Sequence, residues 1–90
     1  MSYKGDIKIS LARKLRKLWK KNKVSYEFVL KKIDEIIENP NRYKHLVQDK
    51  KGECRVHIGS YVLTFEIKEN EGVVEFLDYD HHDNIYKKRG

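Results

Sequence analysis

The chain predicts an α+β fold in the order β-α-α-β-β-β, with a helix hairpin packed on one face of a small, mostly antiparallel sheet. Three features carry that expectation: two apolar stripes at helical spacing, an alternating run folded about a Gly-Ser pair, and a further alternating run near the end. The ninety residues are read as one domain, 1–90.

Residues 3–9 alternate weakly, with Ile7 and Ile9 on one face, and predict a short first strand. Ser10 is a favourable N-cap for the next element. Leu11, Leu15, Leu18 and Trp19 then recur at helical spacing, and Trp19 is expected to anchor the helix to the sheet. Arg13, Lys14, Arg16, Lys17, Lys20 and Lys21 take its other faces. A second helix is expected from Ser25, with Val24 and Val29 placed for a hydrophobic staple. Val29, Leu30, Ile33, Ile36 and Ile37 form its stripe. Asn39-Pro40 ends it, because proline disfavours helical backbone in the residue before it. Helices so closely joined form an antiparallel hairpin.

Residues 41–53 read as a loop, with a short strand at 44–48 around Leu46 and Val47. Cys54, Val56 and Ile58 then alternate with Arg55 and His57 up to Gly59-Ser60, which suits a two-residue type II′ turn. That turn pairs Ile58 with Tyr61, His57 with Val62 and Arg55 with Thr64. Strand alternation places Arg55, His57, Val62 and Thr64 on one face, and Cys54, Val56, Ile58, Tyr61, Leu63 and Phe65 on the helix-facing side. Residues 68–72 form a loop, 73–79 a last strand, and the chain leaves the sheet at Asp80-His81-His82-Asp83.

Composition narrows the function classes. No run of eighteen apolar residues is present, so no membrane partner is expected. The N-terminus lacks an apolar signal core, and the single Cys54 cannot form an internal disulfide, so a reduced cytoplasmic location is expected. Residues 1–52 hold fifteen Lys/Arg against six Asp/Glu, a net +9, while residues 53–90 hold five against eight, a net −3. From Lys8 to Lys23, both included, stand eight basic residues and no acid. Segregated charge of this kind suits a polyanion such as RNA. Arg13, Lys14, Arg16, Lys17, Lys20, Lys21, Lys87 and Lys88 are the candidate RNA- or ribosome-binding residues.

Arg55, His57, His81, His82 and Tyr86 are the candidate catalytic residues, because these side chains bind phosphate or move protons near neutral pH. Exposed strand or turn positions are the alternative for the histidines, and sheet-edge packing for Tyr86. Neighbouring side chains usually diverge, and no separated ligand pair shows a known metal spacing, so neither metal nor cofactor is expected.

The chain resembles the RelE/ParE superfamily of bacterial and archaeal toxin–antitoxin systems. The resemblance rests on the element order, on Arg-Val-His-Ile-Gly-Ser-Tyr-Val at 55–62, and on Asp-His-His-Asp-Asn-Ile-Tyr at 80–86. It implies a metal-independent, ribosome-dependent endoribonuclease, in which the 2′-hydroxyl of the mRNA attacks the neighbouring phosphate. It also implies a RelB-like antitoxin as partner, with the ribosome and mRNA. Tyr86 stands at the family's C-terminal tyrosine. The chain departs from the pattern at Val62, which is arginine in many members and would there contact the scissile phosphate. Arg55, Lys87 or a protonated histidine is left to supply that cation. A gyrase inhibitor of ParE type, or a non-catalytic RNA- or antitoxin-binding member, is the alternative the same resemblance implies.

Overall fold

A computed structural model describes residues 3–43 and 52–89, with side chains described as far as Ile85. The elements are β1 (Lys4–Ile7), α1 (Ile9–Lys21), α2 (Lys23–Glu38), a short 3-10 turn (Pro40–Tyr43), β2 (Glu53–Ile58), β3 (Tyr61–Lys68), β4 (Val73–His81) and α3 (His82–Arg89). The expected strand at 44–48 lies outside the described residues.

The sheet runs β1-β4-β3-β2. The last three strands form the expected antiparallel meander, and β1 adds to it in parallel beside β4. The β2–β3 register matches the expectation residue by residue: Ile58 opposite Tyr61, His57 opposite Val62, Arg55 opposite Thr64. Gly59 has φ 63 and Ser60 is not in the positive-φ region, as a type II′ turn requires.

Leu11, Leu15, Val29, Ile33 and Ile36 from the helix hairpin meet Cys54, Val56, Leu63, Phe65, Val74 and Phe76 from the sheet. Phe65, Phe76, Leu11 and Ile36 are the largest side chains fully removed from water. Burial of this apolar surface is the main driving term for the fold. At Gly5 the backbone passes so close to Ile37 that a Cβ would collide with that side chain.

Several local expectations are corrected. α1 begins at Ile9, not after Ser10, because β1 runs straight into it: the Lys8 N–H donates to the Phe76 carbonyl, and the Lys8 carbonyl receives the first helical bond from Ala12. Ile9 is therefore an exposed helix residue rather than the end of the first strand. Asn22 alone separates the two helices, and its side chain caps α2 by accepting from the Ser25 N–H at 3.1 Å. Val24 thus falls inside the helix and is exposed, so it forms no staple. Trp19 is 46 % exposed, with the Lys23 ammonium 5.1 Å from its ring centroid. It lies at the border of the stripe made by Leu11, Leu15 and Leu18, too far round the helix to reach the sheet.

Two features of the last third position the candidate site. β4 carries a bulge: Thr64 faces Asp78 while Phe65 faces Phe76, leaving Leu77 as the extra residue. The bulge reverses the facing of everything after it. Tyr79 and His81 turn to the helix-hairpin side, and Asp78 and Asp80 to the other. The second feature is α3, which packs on β3 and β4 and was not expected. Ile85 on α3 and Val62 on β3 are both buried, yet neither belongs to the main core, so they make a smaller apolar patch on the opposite face. α3 thus covers the β3–β4 part of that face, while His57 on β2 stays exposed.

Candidate functional site

Asp80 joins three elements. Its carboxylate accepts from Lys14 Nζ on α1 at 3.2 Å, from Asn84 Nδ2 on α3 at 3.1 Å, and from the His81 N–H at 2.8 Å. Lys14 also donates to Asp78 at 2.7 Å. The lysine can reach both acids because β1 pairs with β4 only as far as Phe76, leaving the edge beyond it uncovered. Burial alone would lower the Lys14 pKa, but the bonds and attraction to Asp78, then Asp80, hold it above its ordinary 10.5. Burial alone would raise Asp80, but Asn84, the His81 N–H and Lys14 hold it below the ordinary carboxylate value.

This latch makes a pH prediction. A carboxylate held low in the folded state favours folding at neutral pH, and that contribution is lost as pH falls through its folded pKa. An ammonium held high contributes below its unfolded pKa and loses that contribution as pH rises through the folded one. Stability from the latch is expected to be flat across neutrality, then to fall below about pH 4 and above about pH 10.5. Lys14→Met is expected to lower stability by about 1 kcal/mol and to remove the alkaline fall. Urea unfolding across pH checks both.

At the end of β4 the chain turns into α3 through His81, His82 and Asp83. The two imidazole rings stack, with centroids 4.5 Å apart and planes at 30°. His82 Nδ1 lies 3.0 Å from Asp83 Oδ1. The Asp83 backbone N–H donates to His81 Nδ1 at 3.2 Å. His81 Nδ1 also lies 3.6 Å from Asp83 Oδ2, so the one carboxylate faces both rings. A carboxylate beside Nδ1 favours the form of His82 whose free lone pair is on Nε2. Both rings are open to water, with side chains 39 % and 44 % exposed. His81 also meets Tyr61 edge to face at 5.7 Å, and Tyr61 stacks on Tyr79. Burial pushes the Tyr79 phenol up, and neighbouring Tyr61 adds to the shift.

The expected site residues divide. His81 and His82 come together. His57 is exposed on β2 opposite Val62, so the sheet separates it from His81, which faces the helix hairpin beside Tyr61. Arg55 shares the His57 face as expected, but it is buried rather than exposed, with Nε 3.9 Å from Glu53 Oε2. Of the basic residues on α1, Arg13, Arg16, Lys17, Lys20 and Lys21 are exposed, whereas Lys14 is engaged in the latch. Tyr86, Lys87 and Lys88 lie on α3, but their side chains are outside the described residues. Val62 is fully buried. In this chain the position supports packing and does not meet solvent.

The ligand-type atoms of His81, His82 and Asp83 lie within 4.8 Å of one another. The side chains do not diverge as the sequence reading assumed, because a strand-to-helix turn folds between them. His and Asp are donors that zinc accepts.

Sequence reasoning missed α3, the Lys14 latch and the tyrosine stack. Asp83 near the start and Lys87, Lys88 and Arg89 near the end of 82–89 match the charge preference of a helix dipole, a signal that could have revealed α3. Lys14 sits three residues after Leu11 and four before Leu18, on the edge of the buried stripe. The tyrosine stack left no local signal, because it depends on the bulge. Among the described residues, no helix is long and apolar enough to cross a membrane.

Residues 10–86 match the family described as ParE toxin of type II toxin-antitoxin system, parDE. The chain belongs to this toxin family, within the RelE/ParE superfamily. A relative in Methanocaldococcus jannaschii, named "Putative toxin RelE4", is 47% identical over 88 residues, covering 97% of this chain and 94% of the relative. The fold matches isolated E. coli RelE toxin, with TM-score 0.76 at 16% identity over 99% of this chain and 100% of that one. It also matches the archaeal RelE-RelB complex from Pyrococcus horikoshii, with TM-score 0.70 at 17% identity over 90% of this chain and 96% of that one. For this toxin family member, the fold includes the C-terminal helix that carries the histidine corner.

Proposed function

We propose that this toxin is a ribosome-dependent endoribonuclease that cuts mRNA in the cytoplasm without a metal. The observation that carries the reading is the solvent-open, stacked His81–His82 pair with the Asp83 carboxylate beside both rings. His82 Nε2 takes the proton of the 2′-hydroxyl, and the freed oxygen attacks the adjacent phosphorus. The bond to the 5′-oxygen breaks, and that oxygen takes a proton from His81 in its imidazolium form, paired with the Asp83 carboxylate 3.6 Å away, which leaves the ring neutral. The products are a 2′,3′-cyclic phosphate and a 5′-hydroxyl end. Tyr86 then stacks on a base or assists proton transfer, as its counterpart does in the superfamily.

The exposed bases of α1 hold the ribosome or mRNA. Neutralising Arg13, Lys17 and Lys20 together is expected to weaken ribosome association and flatten its salt dependence. Equilibrium binding over a salt series checks this, and an unchanged slope would remove α1 from the interface. A RelB-like antitoxin is the proposed protein partner, supported by the fold shared with the RelE of the Pyrococcus complex.

Induced expression with mapping of mRNA 5′ ends tests the function. Growth arrest with cuts at fixed codon positions supports it. Chelation separates the metal-free route from a zinc route through His81, His82 and Asp83. Cleavage is expected to survive EDTA; loss with EDTA and recovery with zinc would replace the proton-transfer reading. A gyrase-inhibitor reading is favoured by one observation: Val62 is buried and Arg55 is paired with Glu53, so the face carrying His57 offers few free cations. Arrest without mRNA cuts, but with trapped gyrase–DNA complexes, would establish it.

A further inference from the structure

Four aromatic rings form a continuous ladder leading away from the histidine corner. His82 stacks on His81 at 4.5 Å, His81 meets Tyr61 at 5.7 Å, and Tyr61 stacks on Tyr79 at 5.0 Å with planes at 18°. The tyrosine end opens into a groove of about 690 Å³ between the end of α1, the start of α2 and the β2–β3 turn. Such a volume suits a small planar ligand. Phe28 stands on the α2 side and is 59 % exposed, and Tyr61 is 42 % exposed. Among the described residues of the lining, Lys21 is the only charged one and there is no carboxylate.

An exposed aromatic platform, a second exposed ring across from it and a lone cation match one chemistry well: a flat base attached to a phosphate. We propose that this groove seats an unpaired nucleobase of single-stranded RNA, stacked on Tyr61 with its phosphate toward Lys21. The inference rests on the RNA-cleavage reading and deepens it. The ladder joins the base site to His81 and His82 in short steps, so one strand can occupy both. A peptide side chain could fill the apolar part but would leave Lys21 without a role. Stacking tolerates every base, so the groove adds affinity without strong sequence preference.

The test uses the full chain and short single-stranded RNA carrying 2′-O-methyl groups, which cannot be cleaved. Tyr61→Ala is expected to weaken binding about 5- to 150-fold, the range for losing one stacked base, while Tyr61→Phe binds as the parent does. The salt slope should stay unchanged in Tyr61→Ala, because no ionic contact is removed, and should fall in Lys21→Ala. An RNA with one abasic position at the seated nucleotide should bind both Tyr61→Ala and the parent equally weakly. Parent-like RNA affinity in Tyr61→Ala, or no RNA binding by the parent at low salt, overturns the base site. So does a groove that accepts only an antitoxin-derived peptide. Codon-positioned cuts in cells alongside any of those results leave the nuclease reading standing without it. Stacking-dependent binding with no cuts leaves the base site standing and removes the nuclease.

Discussion

His82→Ala is expected to lower mRNA cleavage about 10²–10⁴-fold, the contribution of a positioned general base, and to abolish growth arrest on induction. The side chain is 44 % exposed and packs only at the histidine corner, so its removal should leave folding intact. The effect should be kinetic: the variant should still bind ribosomes. Asp83→Asn tests the same mechanism from the other side. It removes the carboxylate that lies beside both imidazoles, and it should lower cleavage while retaining the fold. Parent-like cutting by His82→Ala, measured on programmed ribosomes, would move the base elsewhere.

Val62→Arg is expected to destabilise the protein by about 1–3 kcal/mol, because it forces a long charged side chain into a fully buried, closely packed position. This runs against the sequence-level expectation, in which arginine at 62 would supply a missing phosphate contact. The difference lies in α3. Once Ile85 is buried on the same face, position 62 belongs to an apolar patch between sheet and helix. Urea unfolding checks the stability, and cleavage assays check the function. A variant that stays as stable as the parent and cuts faster would make 62 a phosphate site after all. Val62→Ile, which keeps the patch apolar, should change stability far less.

Much of the fold was legible because its signals are local. Helical spacing from Leu11 to Leu18 and from Val29 to Ile37 marked the hairpin, and Gly59-Ser60 set the β2–β3 register through turn geometry. Cys54 was placed correctly in the core by alternation alone. Helix boundaries were less legible. Asn22 and Ser25 are both good caps on paper, and choosing between them needs the backbone path from α1.

The candidate site was half legible. Residue types marked His81 and His82, but not their shared partner: Asp83 brings its carboxylate to both rings and its backbone N–H to His81. Arg55 and His57 were placed on one face correctly, while the burial of Arg55 and Val62 on that face was not foreseen.

By itself the sequence determined the helix hairpin and the four strands of the sheet, the β2–β3 register, the basic character of α1 and the toxin family. Each follows from periodicity, charge or motif spacing, which act over a few residues. Only the tertiary structure decided which cations are free, which histidines meet, and where Tyr61 and Tyr79 stack. The physical reason is the Leu77 bulge together with the packing of α3. One inserted residue reverses the facing of β4 from Asp78 onward, sending the acids to Lys14 and the rings to the groove.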